Sequence, residues 1–176
     1  MEKFSQKTVH GIVVVFPSLE YYKKVEQAIR FLKRSDAQAF EKVKKHIDVI
    51  FIFSKKGWYN EIRQSRDGTK WGWLVEGSAI IDESYPYQFI ASELIHEAQH
   101  VIQYKSARKY TDAQAEKGAY LVQLKFLKKI GYDNAAQWLY EFFKEKWWTE
   151  KHRGSKEVQA KKSKKAIALF ELWGSE

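Results

Sequence analysis

Cysteine is absent from the 176 residues. Without thiols the chain has no disulfide framework, no thiolate zinc finger, no iron–sulfur cluster and no cysteine nucleophile. Any metal must therefore be held by His, Asp or Glu. Long apolar runs are missing too. No stretch approaches the ~20 residues of a membrane-spanning helix, and the opening Met1-Glu2-Lys3-Phe4-Ser5-Gln6-Lys7 lacks an apolar signal core. There is no internal repeat and no low-complexity linker. These absences lead us to expect a soluble, cytoplasmic protein with no membrane span. What is present suits a folded chain: hydrophobic residues make up 44% and aromatics 16%, far from a disordered composition. The length fits a single domain with a real core.

The formal net charge is +9, and its distribution is uneven. Residues 1–90 carry 15 basic and 11 acidic side chains, residues 91–150 carry 9 and 8, and residues 151–176 carry 7 and 3. The last segment is the most basic per residue, with Lys161, Lys162, Lys164 and Lys165 its densest cluster. Such a cluster reads either as a solvated helix face or as a surface for phosphates or acidic lipid.

Residues 9–16 are rich in β-branched side chains and stop at Pro17, the pattern of a strand. Leu19, Tyr22, Val25, Ile29 and Leu32 recur at steps of three and four, which predicts an amphipathic helix over 19–34. A short helix follows from Asp36, its N-cap, to His46. Residues 49–53 are apolar throughout, so they predict a second strand covered on both faces. Asp67-Gly68 marks a tight turn, followed by a strand over 69–75 and another over 78–81. After Ile81 the pattern becomes helical, over about 86–104, 112–130, 133–148 and 156–173, with Gly131 breaking the second from the third. Strands first and helices after predict an α+β domain. Its strand-rich part is 1–82, its central helices lie in 83–130, and its basic helical end is 131–176.

The informative stretch is Glu93-Leu94-Ile95-His96-Glu97-Ala98-Gln99-His100. His-Glu-x-x-His on a helix sets two imidazoles one turn apart on one face, with Cβ atoms ~5–6 Å apart. Two such rings can bind one zinc ion at ~2.0–2.1 Å each. Glu97 leaves the helix beside the pair and is suited to touch a metal-bound water rather than the metal. Leu94, Ile95, Ala98 and Val101 make the rest of the helix apolar, and ionisable groups on a buried helix are costly unless neutralised. By chance this motif arises in roughly one such chain per hundred, so its context must carry part of the argument.

That context is a third ligand. Thr111-Asp112-Ala113-Gln114 reads as a capping box that opens a new helix. Its second turn holds Glu116, within reach of the histidines across a helix–loop–helix turn, while small Gly118 and Ala119 allow close approach. The plainer role for Glu116 is to complement the helix dipole.

His96-Glu97-x-x-His100 followed by Glu116-x-x-Ala119 resembles the gluzincin branch of zinc metallopeptidases, and the short chain is most similar to the compact minigluzincins. The resemblance covers about residues 70–125. It implies a zincin-like fold with a small mixed or antiparallel sheet over an active-site helix. It implies one Zn2+ per chain, held by His96, His100 and Glu116, and a cleft-lining edge strand at Ser78, Ala79 and Ile80 that takes a substrate peptide by strand addition. It also implies hydrolysis by a zinc-activated water, with Glu97 as general base. Tyr110 and His152 are the candidates to stabilise the tetrahedral intermediate. The thermolysin-like members carry an acid one turn after the glutamate ligand, where this chain has Tyr120. Another acceptor must orient the histidine here, and Glu93 and Asp112 are the candidates.

Other features have plainer readings. Trp71 and Trp73 share one face of a strand and suit core packing more than base stacking. Trp147-Trp148 reads as a plug toward the last helix, and His10 and His46 as structural. Besides peptidase action, two rival functions stand. One is nucleic-acid association through the basic C-terminal helix. The other is a zincin-fold module that binds zinc or a partner without turnover.

Overall fold

The computed structural model describes residues 4–53, 77–106 and 110–144. The expected strand over 69–75, the helix over 156–173, Trp71, Trp73, Trp147, Trp148, His152 and the Lys161–Lys165 cluster lie outside the described residues. Within them the chain is mixed α+β, with four strands and five helices in the order β1 (Ser5–Val9), β2 (Ile12–Phe16), α1 (Leu19–Ser35), α2 (Ala37–His46), β3 (Val49–Phe53), β4 (Ser78–Asp82), α3 (Tyr87–Lys105), α4 (Asp112–Lys129) and α5 (Asp133–Lys144).

The strand expected over 9–16 is two strands. A hairpin turns at His10-Gly11, with Val9 opposite Ile12. Both turn residues have positive φ, 50° at His10 and 88° at Gly11. That is the two-residue connection whose twist matches antiparallel strands, and it needs φ > 0 twice. His10 in place of the usual Asn or Asp disguised the turn, so β1 was invisible in the hydrophobic pattern. The His10 ring packs edge-on to Phe40, 5.5 Å between centroids.

The sheet order is β1-β2-β3-β4, antiparallel between β1 and β2 and parallel beyond. Parallel strands need a long crossover, and α1 with α2 supplies it between β2 and β3. The five buried residues of α1, Tyr22, Val25, Ala28, Ile29 and Leu32, form one stripe. Asp36 ends α1 and caps α2, its Oδ1 accepting from the Ala39 amide at 3.0 Å. Strand β3 corrects another expectation. Ile50 and Ile52 are buried, but Val49 and Phe51 on the opposite face are only half-buried.

Helix α3 runs through the middle. Ile90, Ala91, Leu94, Ala98 and Val101 join the main core with the strands, α1 and α2. Phe89 instead enters a second core with Leu124, Leu127, Ala135, Ala136 and Leu139 from α4 and α5. The capping box of α4 is complete: the Thr111 hydroxyl accepts from the Gln114 amide, and the Gln114 side chain accepts from the Thr111 amide. The helix ends at Gly131, whose amide donates to the Lys128 carbonyl while Tyr132 donates to that of Leu127. Among the described residues no helix is long and apolar enough to cross a membrane.

Candidate metal centre

The site is a product of how α3 meets α4. The apolar side of α3 is spent on the main core. Its other side turns Ser92, His96, His100 and Gln103 toward α4. Gln103 donates from Nε2 to the Ala115 carbonyl at 3.1 Å. Gly118 faces the same amide, and a Cβ there would stand 2.5 Å from Gln103 Nε2. A side chain there would displace the Gln103 amide from its bond to Ala115. This contact holds the first turns of α4, and with them Glu116, against the histidine pair.

The three expected ligands converge. His96 Nε2 and His100 Nε2 are 3.0 Å apart, and Glu116 Oε2 is 3.7 Å from the first and 3.8 Å from the second. Two ligands at ~2.0–2.1 Å from one ion in tetrahedral array stand about 3.3 Å apart. The observed separations bracket that value, so the donor set fits a small dication. Among the described residues this is the only group of three or more His, Asp or Glu side chains with ligand atoms so close, all within 4.8 Å. The His96 side chain is 6% exposed, while those of His100 and Glu116 are 27% and 24% exposed. The cluster is therefore buried on one flank and open on the other, where a water or substrate has access.

The acceptor facing His96 Nδ1 is Gln123, two turns after Glu116 on α4, rather than the expected Glu93; the side chain of Asp112, the other expected acceptor, lies outside the described residues. Its Oε1 lies 3.1 Å from His96 Nδ1. Its Nε2 donates to Ser92 Oγ at 3.1 Å and to Glu93 Oε1, and Ser92 Oγ donates to the Phe89 carbonyl at 2.7 Å. Gln123 is fully buried. A lone glutamine in the middle of a helix carries no motif, so only its reach across the helix pair reveals it. Tyr120, at the position of the missing acid, packs its ring edge-on to His96 with centroids 4.5 Å apart. Tyr120 thereby walls the site rather than accepting from the imidazole.

Electrostatics mark the site as cation-seeking. Burial, and then neighbouring His100, hold the His96 imidazole down to about 3, against the pull of its Gln123 bond. It is thus neutral, as a metal ligand must be. Burial, then Glu93 and Glu116, push the Glu97 carboxyl up to about 8. The Glu93, Glu97 and Glu116 carboxyl groups crowd together beside the two imidazoles, and a bound dication would relieve that repulsion.

Of the remaining expected site residues, His152 lies outside the described residues. Tyr110 is half-buried just before the N-cap of α4. On β4, Ala79 points into the core, whereas Ser78 is half-buried and Ile80 is 38% exposed on the opposite face. Among the described strands β4 is outermost, paired with β3 alone. Compared with known proteins, the chain matches no protein-family model, no curated protein and no solved structure.

Proposed function

We propose that the protein is a zinc-dependent peptidase of zincin-like fold, with His96, His100 and Glu116 holding the ion and Glu97 serving as general base. The observation that carries this reading is the convergence of those three ligand atoms on one open-sided point, beside a carboxyl with a raised pKa. When bound, zinc lowers the pKa of a water toward ~7 and polarises a scissile carbonyl. The protein's own groups divide the remaining work. Glu97 takes the proton of the attacking water on its carboxylate and delivers it to the leaving amine, a shuttle favoured by a pKa near the working pH. Buried His96, with half-buried Tyr120 packed against its ring, limits water at the rear of the site. Tyr110 and His152 remain the candidate donors to the tetrahedral oxygen. The outer edge of β4, with Ser78 and Ile80, is the place for an extended peptide.

The test is elemental analysis of the protein beside His96→Ala, Glu116→Ala and Glu97→Gln, with cleavage of a peptide library. The expected result is one zinc per chain, lost in the first two variants. Glu97→Gln keeps the zinc but loses roughly 10²–10⁴-fold in cleavage rate. A wild-type protein that takes up no zinc even when it is supplied overturns the reading. Zinc uptake with Glu97→Gln behaving like wild type in every assay points instead to a binding module. The net charge of +9 supports the other rival, nucleic-acid association, for which an affinity falling steeply with salt is the expected signature.

A further inference from the structure

The hydrogen-bond chain behind His96 has a single consistent direction. Ser92 Oγ gives its one proton to the Phe89 carbonyl at 2.7 Å, so toward Gln123 it can only accept. The Glu93 carboxylate, the other neighbour of the Gln123 amide, also accepts. The amide must therefore turn its NH2 group to Ser92 and Glu93. A flipped amide would set its oxygen against two acceptors, each contact costing a buried hydrogen bond. With Nε2 committed, Oε1 faces His96 Nδ1 at 3.1 Å. Oε1 is an acceptor only, so Nδ1 must carry the proton. The lone pair of His96 is then on Nε2, the atom that faces His100 and Glu116.

We propose that Gln123 is the positioning residue of the metal centre: through Ser92 and Glu93 it locks His96 in the Nδ1–H tautomer and aims the Nε2 lone pair before any ion arrives. This rests on the metal-site reading above and deepens it. The orienting group is a neutral amide rather than a carboxylate. Its direction is set by the backbone carbonyl of Phe89, two turns before His96 on the same helix. Two successive turns of α3 thus supply both the ligand and the reference that aligns it. The second turn beyond Glu116 on α4 supplies the link.

The test reads the tautomer directly. Long-range ¹H–¹⁵N NMR of the metal-free protein at about pH 8, where an ordinary imidazole is neutral, is compared with His96→Ala to identify the His96 signals. The expected pattern is Nδ1–H for His96. An Nε2–H or averaged pattern in the wild type overturns the proposal without recourse to any variant. Gln123→Met keeps side-chain length and removes the acceptor. Its His96 pattern should average, and its zinc Kd should rise roughly 10–100-fold. Gln123→Glu retains an acceptor and should keep the Nδ1–H pattern. Unchanged tautomer and unchanged Kd in Gln123→Met would refute the positioning role. If the wild type shows Nδ1–H yet takes up no zinc, the metal reading fails while the tautomer lock stands, so the two failures are distinct.

Discussion

The two sides of α3 make opposite use of the same buried helix. Toward the sheet, α1 and α2 it presents Ile90, Ala91, Leu94, Ala98 and Val101, an apolar surface whose burial is worth about 1.5–3 kcal/mol for each large side chain. Toward α4 it presents Ser92, His96, His100 and Gln103, of which Ser92, His96 and Gln103 are also buried. Polar groups removed from water contribute little net stability and cost a great deal when unpaired. Here most are joined in a directed chain ending on a backbone carbonyl, and two imidazoles and a carboxylate are left facing one another. The first side is organised for stability. The second spends stability on an arrangement of donor atoms that could hold a cation.

Five experiments break or sharpen this contrast. The largest effect expected is from the metal itself. At zinc concentrations 1,000 times Kd, loading should stabilise the fold by about 4 kcal/mol, read as a rise in Tm that a chelator reverses. Next, Leu94→Ala on the apolar side should cost about 3 kcal/mol in denaturant unfolding and leave the zinc Kd of the folded fraction nearly unchanged. Equal losses in both quantities would show that the two sides are not separable.

The third experiment is a pH series on metal-free protein. Below its ordinary pKa of 6.5, His96 takes a proton when unfolded but resists it when folded, down to about 3. Stability from this group is therefore lost as pH falls through that window. Glu97 has the reverse sign. Its folded form keeps a proton from 4.5 up to about 8, so stability is lost as pH rises through that range. Between 4.5 and 6.5 the two slopes oppose each other and nearly cancel. Their combined contribution is a plateau there, with a decline on either side. Zinc should remove the alkaline decline, since a dication beside Glu97 favours its charged form. A Tm that rises steadily from pH 6.5 to 8 without metal contradicts the assignment of these two groups.

The smallest effects come from Gly118 and Asp36. Gly118→Ala gains about 1 kcal/mol of helix propensity and loses the Gln103 bond to the Ala115 carbonyl, worth about the same. Tm should barely move while zinc affinity falls, because the first turns of α4, which carry Glu116, lose their Gln103 tie to α3. A weakened Tm with intact affinity would assign Gly118 to packing alone. Far from the site, Asp36 caps α2 and accepts from Lys129 Nζ at 2.7 Å. Burial raises its carboxyl pKa, but the Lys129 and Ala39 bonds outweigh that and lower it. Its contribution is thus present at neutral pH and fades in acid. Asp36→Ala should cost about 1 kcal/mol, and Lys129→Ala less, since that bridge is half exposed.

Much of the helical part was legible in the chain because its signals are local. The stripe of α1, the Asp36 cap, the Thr111 capping box and the stop at Gly131 each depend on residues within a few positions of one another. His96 and His100 were legible for the same reason, being one turn apart. Glu116 was readable only as a small-residue helix start following a histidine pair. The β1–β2 hairpin was hidden because His10 adopts a conformation its residue type seldom advertises. Strand β3 looked covered on both faces, because an all-apolar run gives no clue to which side is left half-buried.

By itself, then, the sequence determined which side chains carry lone pairs, how they repeat along each helix, and that no thiol competes with them. Tertiary structure alone decided that Gln123, rather than an acid, stands behind His96, and that Gln103 and Gly118 set the spacing of α3 and α4. It alone brought Glu116 within 4 Å of both imidazoles. The physical reason is range. Helix caps and face patterns are settled by neighbours in the chain, whereas a ligand's orientation is settled by a hydrogen bond between residues 27 positions apart.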